Sequence, residues 1–122
     1  MDFQLSDARR ELQDTARRFA RSELMALSRE MEEKAMPPSG AMRRRYAEMG
    51  FLGINPPAQY GGRGLGHLEA LLVLEQFAMV SPAVAWPILE SATGPVRTVE
   101  HSAGESVKAR ILPEVLKGEK IC

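Results

Sequence analysis

A chain of 122 residues with 44% apolar and 26% charged residues has the makeup of one globular domain able to bury a core. Sixteen basic residues offset sixteen acidic ones, which leaves no electrostatic footprint for nucleic acid or an anionic membrane. The single cysteine, Cys122, excludes an internal disulfide and a cysteine metal cluster.

Ser6 is a good N-cap, and apolar residues recur at Ala8, Leu12, Ala16, Phe19, Ala20, Leu24, Leu27 and Met31. Steps of three and four make one stripe, so an amphipathic helix is expected from about Asp7 to about Lys34, with a bend in its middle. Pro37-Pro38 stops it. Ser39 then caps a shorter helix with Met42, Tyr46 and Met49 on one face, and Gly50 is a left-handed stop. Arg43, Arg44 and Arg45 point in different directions there and are expected on a solvated face. A third helix, from about His67 to Val80, has only Glu69, Glu75 and Gln76 as polar positions after its first residue, which predicts a buried central rod. Ser81-Pro82 restarts the chain as cap and first helical residue. Pro87 and Pro95 predict a kinked helix or two short ones to about His101. Gly104-Glu105 opens the last helix, with Val107, Ile111, Leu112, Val115 and Leu116 on its apolar side, an interruption at Pro113 and a stop at Gly118. No segment alternates as a strand does. The expected class is all-α, an up-and-down helical bundle of about five or six helices in a single domain over residues 1–122.

Between the second and third helices lies Asn55 to Gly66, "NPPAQYGGRGLG", with four glycines and two prolines. A phosphate loop needs a strand before the glycines and a lysine followed by serine or threonine after them. A dinucleotide fingerprint needs a βαβ unit. This sequence offers neither, so a backbone-steering role is the better reading. Asn55-Pro56-Pro57 extends the chain, the glycines permit positive φ or close packing, and Tyr60 brings a ring whose hydroxyl needs a partner. His67 and His101 lack metal-ligand spacing, so no metal site is expected. The N-terminal Met1-Asp2-Phe3-Gln4-Leu5-Ser6 has no signal-peptide pattern and no apolar run approaches a membrane span, which makes a cytoplasmic setting the expectation.

The segments "AEMGFLGI", "PAQYGGRGLG", "LEALLVLEQFAMVSPAVA" and "ILPEVLKGE", in this order and spacing, resemble the acyl-CoA dehydrogenase family over almost the whole chain. The Tyr60-Gly61-Gly62-x-Gly64 turn and the Leu112-Pro113 to Gly118-Glu119 ending carry most of the likeness. Ala58 and Gln59 stand where the family usually has acidic residues, and a proline frequent near Leu24 to Leu27 is missing. The resemblance covers only the first of the family's three domains. It implies an FAD enzyme in which a glutamate of the C-terminal domain takes the α-proton of an acyl thioester while the β-hydride moves to the flavin. No catalytic residue is therefore expected in these residues, and no flavin-binding residue is assigned. By itself the chain is expected to be inactive, to bind FAD and acyl-CoA poorly and to self-associate. The resemblance also places Trp86, Pro87, Glu90, Ser91 and Gly94 on the helix flanking the acyl tail, with Glu90 limiting depth. Acyl-CoA, an electron-transfer acceptor and a second copy of the subunit are the implied partners. A related flavin monooxygenase or nitroalkane oxidase shares the fold, and a stand-alone helical interaction module is a third reading.

Overall fold

The computed structural model describes residues 1–122, and every regular segment in it is helical. The first helix runs as α1 (Asp7–Phe19), a π-helical turn (Ala20–Leu24) and α2 (Met25–Glu33) without a break. The Ser6 hydroxyl accepts from the Arg9 amide at its start. Nineteen residues separate Leu12 from Met31, about one more than five α-turns hold. The wide turn takes up the extra residue, so Leu12, Ala16, Phe19, Ala20, Leu24 and Met31 all stay on the buried side. The expected bend is thus a π turn. Beyond Glu33 the chain closes with Ala35 at φ 49°, and the Met36 amide donates to the Met31 carbonyl at 2.8 Å. This is a left-handed helix ending built without glycine.

Ser39 caps α3 (Gly40–Glu48) by accepting from the Met42 amide at 3.1 Å, and Gly50 ends it at φ 76°. After a loop with one 3₁₀ turn (Ala58–Tyr60) come α4 (His67–Ala78), α5 (Pro82–Ala92), α6 (Pro95–Ser102) and α7 (Glu105–Leu116). The Pro87–Pro95 segment resolves into two helices, broken at Thr93 and Gly94. Pro113, expected to interrupt α7, lies inside it. A proline leaves the carbonyl four residues back without its donor. For Pro87 and Pro113 those residues are Ala83 and Ala109, both exposed, so water can take the vacated position.

One ring from each of four segments meets at the centre. Phe19 of α1 lies 5.8 Å from Tyr46 of α3, 5.3 Å from Phe51 and 5.6 Å from Phe77 of α4. Offset and edge-on contacts of this kind add to the burial of the rings themselves. The Tyr46 hydroxyl donates to the Val84 carbonyl at 2.8 Å, tying α5 to the same centre, and burial pushes its pKa up. Arg9 meets Glu69 at 2.8 Å and Arg17 meets Gln76 at 3.1 Å, start with start, so α1 and α4 run side by side in one direction. A smaller core of Tyr60, Val96, Leu112, Val115 and Leu116 holds α6 and α7 against the loop.

Two further expectations change. Arg43 is buried, not solvated, because it stands one helical step before Tyr46 on the same face and Gly118 packs against its backbone. A Cβ on Gly118 would stand 2.6 Å from the Arg43 carbonyl carbon. The α4 rod is buried on one side only, with Leu68 and Leu71 left 42% and 50% exposed. No helix is long and apolar enough to cross a membrane.

Candidate functional site

Two surfaces compete for a functional role, the glycine loop and the outer side of α5. The loop spends its donors on itself. The amides of Gly61, Gly62, Arg63, Gly64 and Leu65 donate in turn to the carbonyls of Ala58, Pro57, Gly53, Pro56 and Ile54. Five consecutive N–H groups are thereby unavailable to a phosphate. The Asn55 amide adds bonds to the Leu65 and Gly66 carbonyls at 3.0 and 2.8 Å. Gly62 is required by close approach, since a Cβ there would stand 1.8 Å from the Pro56 oxygen. Tyr60 finds its partner in Glu105, to which its hydroxyl donates at 2.6 Å. The positive start of α4 is occupied as well. Arg9 first, and then the Glu69 and Gly66 amides, hold the Glu69 carboxyl below its ordinary value, so an anion already sits there. The loop steers the backbone.

On α5, the Ser81 hydroxyl caps the start by accepting from the Val84 amide at 3.4 Å. The period of the helix then divides the five expected wall residues. Pro87 and Ser91 face inward and are buried, and the Ser91 hydroxyl donates to the Leu52 carbonyl. Trp86 stands 51% exposed on the outer side, with Glu90 half-buried one turn further on. The Trp86 indole N–H donates to Glu90 Oε1 at 2.9 Å. Gly94 lies past the C-terminus, where a Cβ would come within 3.1 Å of the Glu90 carbonyl oxygen. Trp86 and Glu90 are thus brought together at the surface, while Pro87, Ser91 and Gly94 fix the helix from behind.

Two hollows border this helix. The inner one, where Pro87, Glu90 and Ser91 meet Arg43, Lys120 and Cys122, measures about 20 Å³, room for about one water. Burial, with the Glu90 charge nearby, pushes the Cys122 thiol up. The outer one is a groove of about 270 Å³ formed by Leu74, Ala78, Pro82, Ala85, Trp86 and Leu89, almost wholly apolar. Its apolar lining suits a hydrocarbon chain, for which it supplies one side only. Four carboxyls, Glu23, Glu30, Glu69 and Glu105, have clearly displaced pKa values, and all four move down under the hydrogen bonds of Arg45, Lys34, Arg9 and Tyr60 respectively. A base that removes a proton near neutral pH needs the opposite shift. Sequence reasoning missed the groove residues Leu74, Pro82 and Leu89, and it missed Arg43. The i, i+3 step from Arg43 to Tyr46 was the available signal for the last.

The profile described as "Acyl-CoA dehydrogenase, N-terminal domain" matches residues 6–119. The mitochondrial isovaleryl-CoA dehydrogenase of Pongo abelii is 30% identical over 118 residues, covering 96% of this chain and 28% of the relative. Benzylmalonyl-CoA dehydrogenase of Aromatoleum aromaticum is 29% identical over 121 residues, 99% of this chain and 32% of the relative. A solved structure from work on the electron transferring flavoprotein of Acidaminococcus fermentans and flavin-based electron bifurcation superposes with a TM-score of 0.88 at 24% identity, over 98% of this chain and 31% of that one. The chain therefore spans about three tenths of the length of the proteins it matches. These matches do not favour the monooxygenase reading or the stand-alone module.

Proposed function

The chain belongs to the acyl-CoA dehydrogenase family as its N-terminal helical domain, and from that premise we propose that it forms part of the acyl-pocket wall in an FAD-dependent enzyme that dehydrogenates acyl-CoA thioesters between the α and β carbons. The observation that carries this reading is the apolar groove on the outer side of α5, lined almost wholly by apolar side chains and open to solvent. Trp86 borders the acyl tail, and Glu90, hydrogen-bonded to its indole, supports it from behind. Pro87, Ser91 and Gly94 set the position of the helix that presents them. Covering the exposed half of the Trp86 ring, about 100 Å², contributes about 2–3 kcal/mol to whatever occupies the groove.

Neither the glycine loop nor the start of α4 offers a flavin's phosphates free donors. The loop amides are spent on the loop's own carbonyls and the start of α4 holds its own carboxylate. The flavin, the base that takes the α-proton and the electron acceptor belong to the remainder of the enzyme in this proposal, as does assembly with further copies of the subunit.

Two experiments test it. In the complete enzyme, anaerobic addition of straight-chain acyl-CoA is expected to bleach the bound flavin. An enzyme whose flavin no acyl-CoA reduces would refute the activity. The 122-residue chain alone, titrated with FAD while flavin fluorescence and light scattering are followed, is expected to self-associate and to leave the flavin free. A strict monomer that binds FAD at micromolar concentration would reopen the loop as a phosphate site.

A further inference from the structure

Arg43 is the one buried arginine of the chain, and it is spent on neither solvent nor the core. Its Nη1 donates to the Pro38 carbonyl at 2.8 Å, which locks the guanidinium against the start of α3. Its Nη2 reaches Glu90 Oε2 at 3.5 Å, across to α5. The other oxygen of the same carboxylate, Oε1, accepts from the Trp86 indole at 2.9 Å. The Arg43 and Glu90 side chains are 10% and 24% exposed, so solvent screens the pair far less than a surface ion pair. Each Glu90 oxygen thus answers to a different element. On the far side of the indole lies the apolar groove.

We propose that Arg43 is a positioning residue that acts through Glu90 to hold the Trp86 ring as the fixed edge of that groove, and thereby sets which hydrocarbon chains the groove accepts. The physical reason is geometric. An indole on a helix surface has several rotamers open to it and exchanges among them in nanoseconds. A hydrogen bond to a carboxylate that is itself free to swing would restrain it little. A carboxylate pinned from behind by a buried guanidinium, with that guanidinium pinned by a backbone carbonyl, leaves one position. Arg44 makes a natural control, being exposed and outside this chain of contacts. The claim about the ring stands on the geometry alone, whereas its consequence for substrate choice rests on the acyl-wall reading above.

Trp86 is the chain's single tryptophan, so its fluorescence reports on this ring without interference. Time-resolved anisotropy of the 122-residue chain, and of the R43Q, E90A, E90Q and R44Q variants, measures the ring's freedom directly. The E90A variant is expected to increase the fast, nanosecond part of the decay about twofold or more, since the acceptor is gone. The R43Q and E90Q variants are expected to increase it less, because an acceptor remains but the charge that pins it does not. R44Q is expected to match the parent. A folded R43Q, checked by circular dichroism, that retains the parent's decay would overturn the proposal. Should R43Q fail to fold, E90Q decides alone, and an unchanged decay in E90Q would overturn it equally. In the complete enzyme, R43Q is expected to reduce the discrimination between acyl chains differing by two carbons, which a methylene-sensing wall holds at about tenfold or more, with the change carried by KM and not kcat. A freed ring with unaltered chain-length discrimination would leave the positioning of Trp86 standing and refute the acyl-wall reading.

Discussion

The glycine loop and the outer side of α5 are opposite kinds of surface. The loop is polar backbone that has largely satisfied itself: five successive amides, the Asn55 side-chain N–H groups and the Tyr60 hydroxyl all find partners within the chain, and only Asn55 Oδ1 is left without one. The α5 side is apolar and unsatisfied, with Trp86, Leu71 and the groove between α4 and α5 facing outward. A self-satisfied loop resists change and binds little. An open apolar face costs free energy in water and gains it when covered. Glycine runs often mark ligand sites, yet the surface proposed here to meet a ligand carries no motif at all. Substitutions should therefore damage stability in the loop and core, and damage ligand choice on α5.

The largest effect is expected at Gly62. Gly62→Ala would force a Cβ to within 1.8 Å of the Pro56 oxygen, and backbone has to move to relieve it. A loss of about 3 kcal/mol or more is expected in urea unfolding. Gly104→Ala, where nothing lies within 4 Å of the added carbon, is expected to change stability by no more than about 1 kcal/mol. Equal losses at the two sites would break the contrast. Phe77→Ala removes the ring that three others contact and is expected to cost about 3–5 kcal/mol.

Next in size is the acid response. Glu69 is held below 4.5 by Arg9, and Glu105 by the Tyr60 hydroxyl. For a carboxyl with a depressed folded pKa the unfolded chain binds the proton first, so its stabilisation is complete above about pH 4.5 and is lost as pH falls through the folded value. Unfolding midpoints measured from pH 6 downward should fall fastest below pH 4.5. Arg9→Gln should flatten that fall, and an unaltered slope would remove the Arg9–Glu69 pair from the account.

Trp86→Ala is expected to cost about 2 kcal/mol, less than Phe77→Ala despite removing the largest side chain in the protein, because only half of it is buried. A loss of several kcal/mol there would make α5 part of the core and not a wall. Smallest of all is a gain expected at the end of α2. Ala35 adopts φ 49°, where a Cβ is strained, so Ala35→Gly should stabilise by about 0.5–1 kcal/mol after the entropy of the unfolded glycine is allowed for.

Much of this fold can be read from local chemistry. Ser6, Ser39 and Ser81 each cap the helix that follows, and Gly50 and Gly118 end helices at positive φ, because short hydroxyl side chains and missing Cβ atoms act within a few residues. The break before Pro95 is of the same local kind. The resemblance adds the expectation that α5 forms part of an acyl-pocket wall, which the residues alone do not indicate. What stayed hidden depends on partners distant in sequence. Arg43 reads as one of three surface arginines until Glu90 and Gly118, 47 and 75 positions away, are placed beside it. The apolar composition of α4 pointed to burial on all sides, but composition does not say which neighbour covers a face, and Leu68 and Leu71 are left open. Ala35 occupies a left-handed position that its type does not advertise. The division of the wall into an outward pair, Trp86 and Glu90, and an inward pair, Pro87 and Ser91, required the rotation of α5, which Tyr46 and Leu52 set through their bonds to Val84 and Ser91.

The central claim is that the outer side of α5 meets the acyl tail. It is tested most directly by kcat/KM of the complete enzyme on a straight-chain acyl-CoA series, parent against Glu90→Ala. The optimum is expected to move to longer chains, with discrimination across one two-carbon step changing by about tenfold. A profile that keeps both its optimum and its slope in Glu90→Ala would contradict it and place the acyl tail elsewhere.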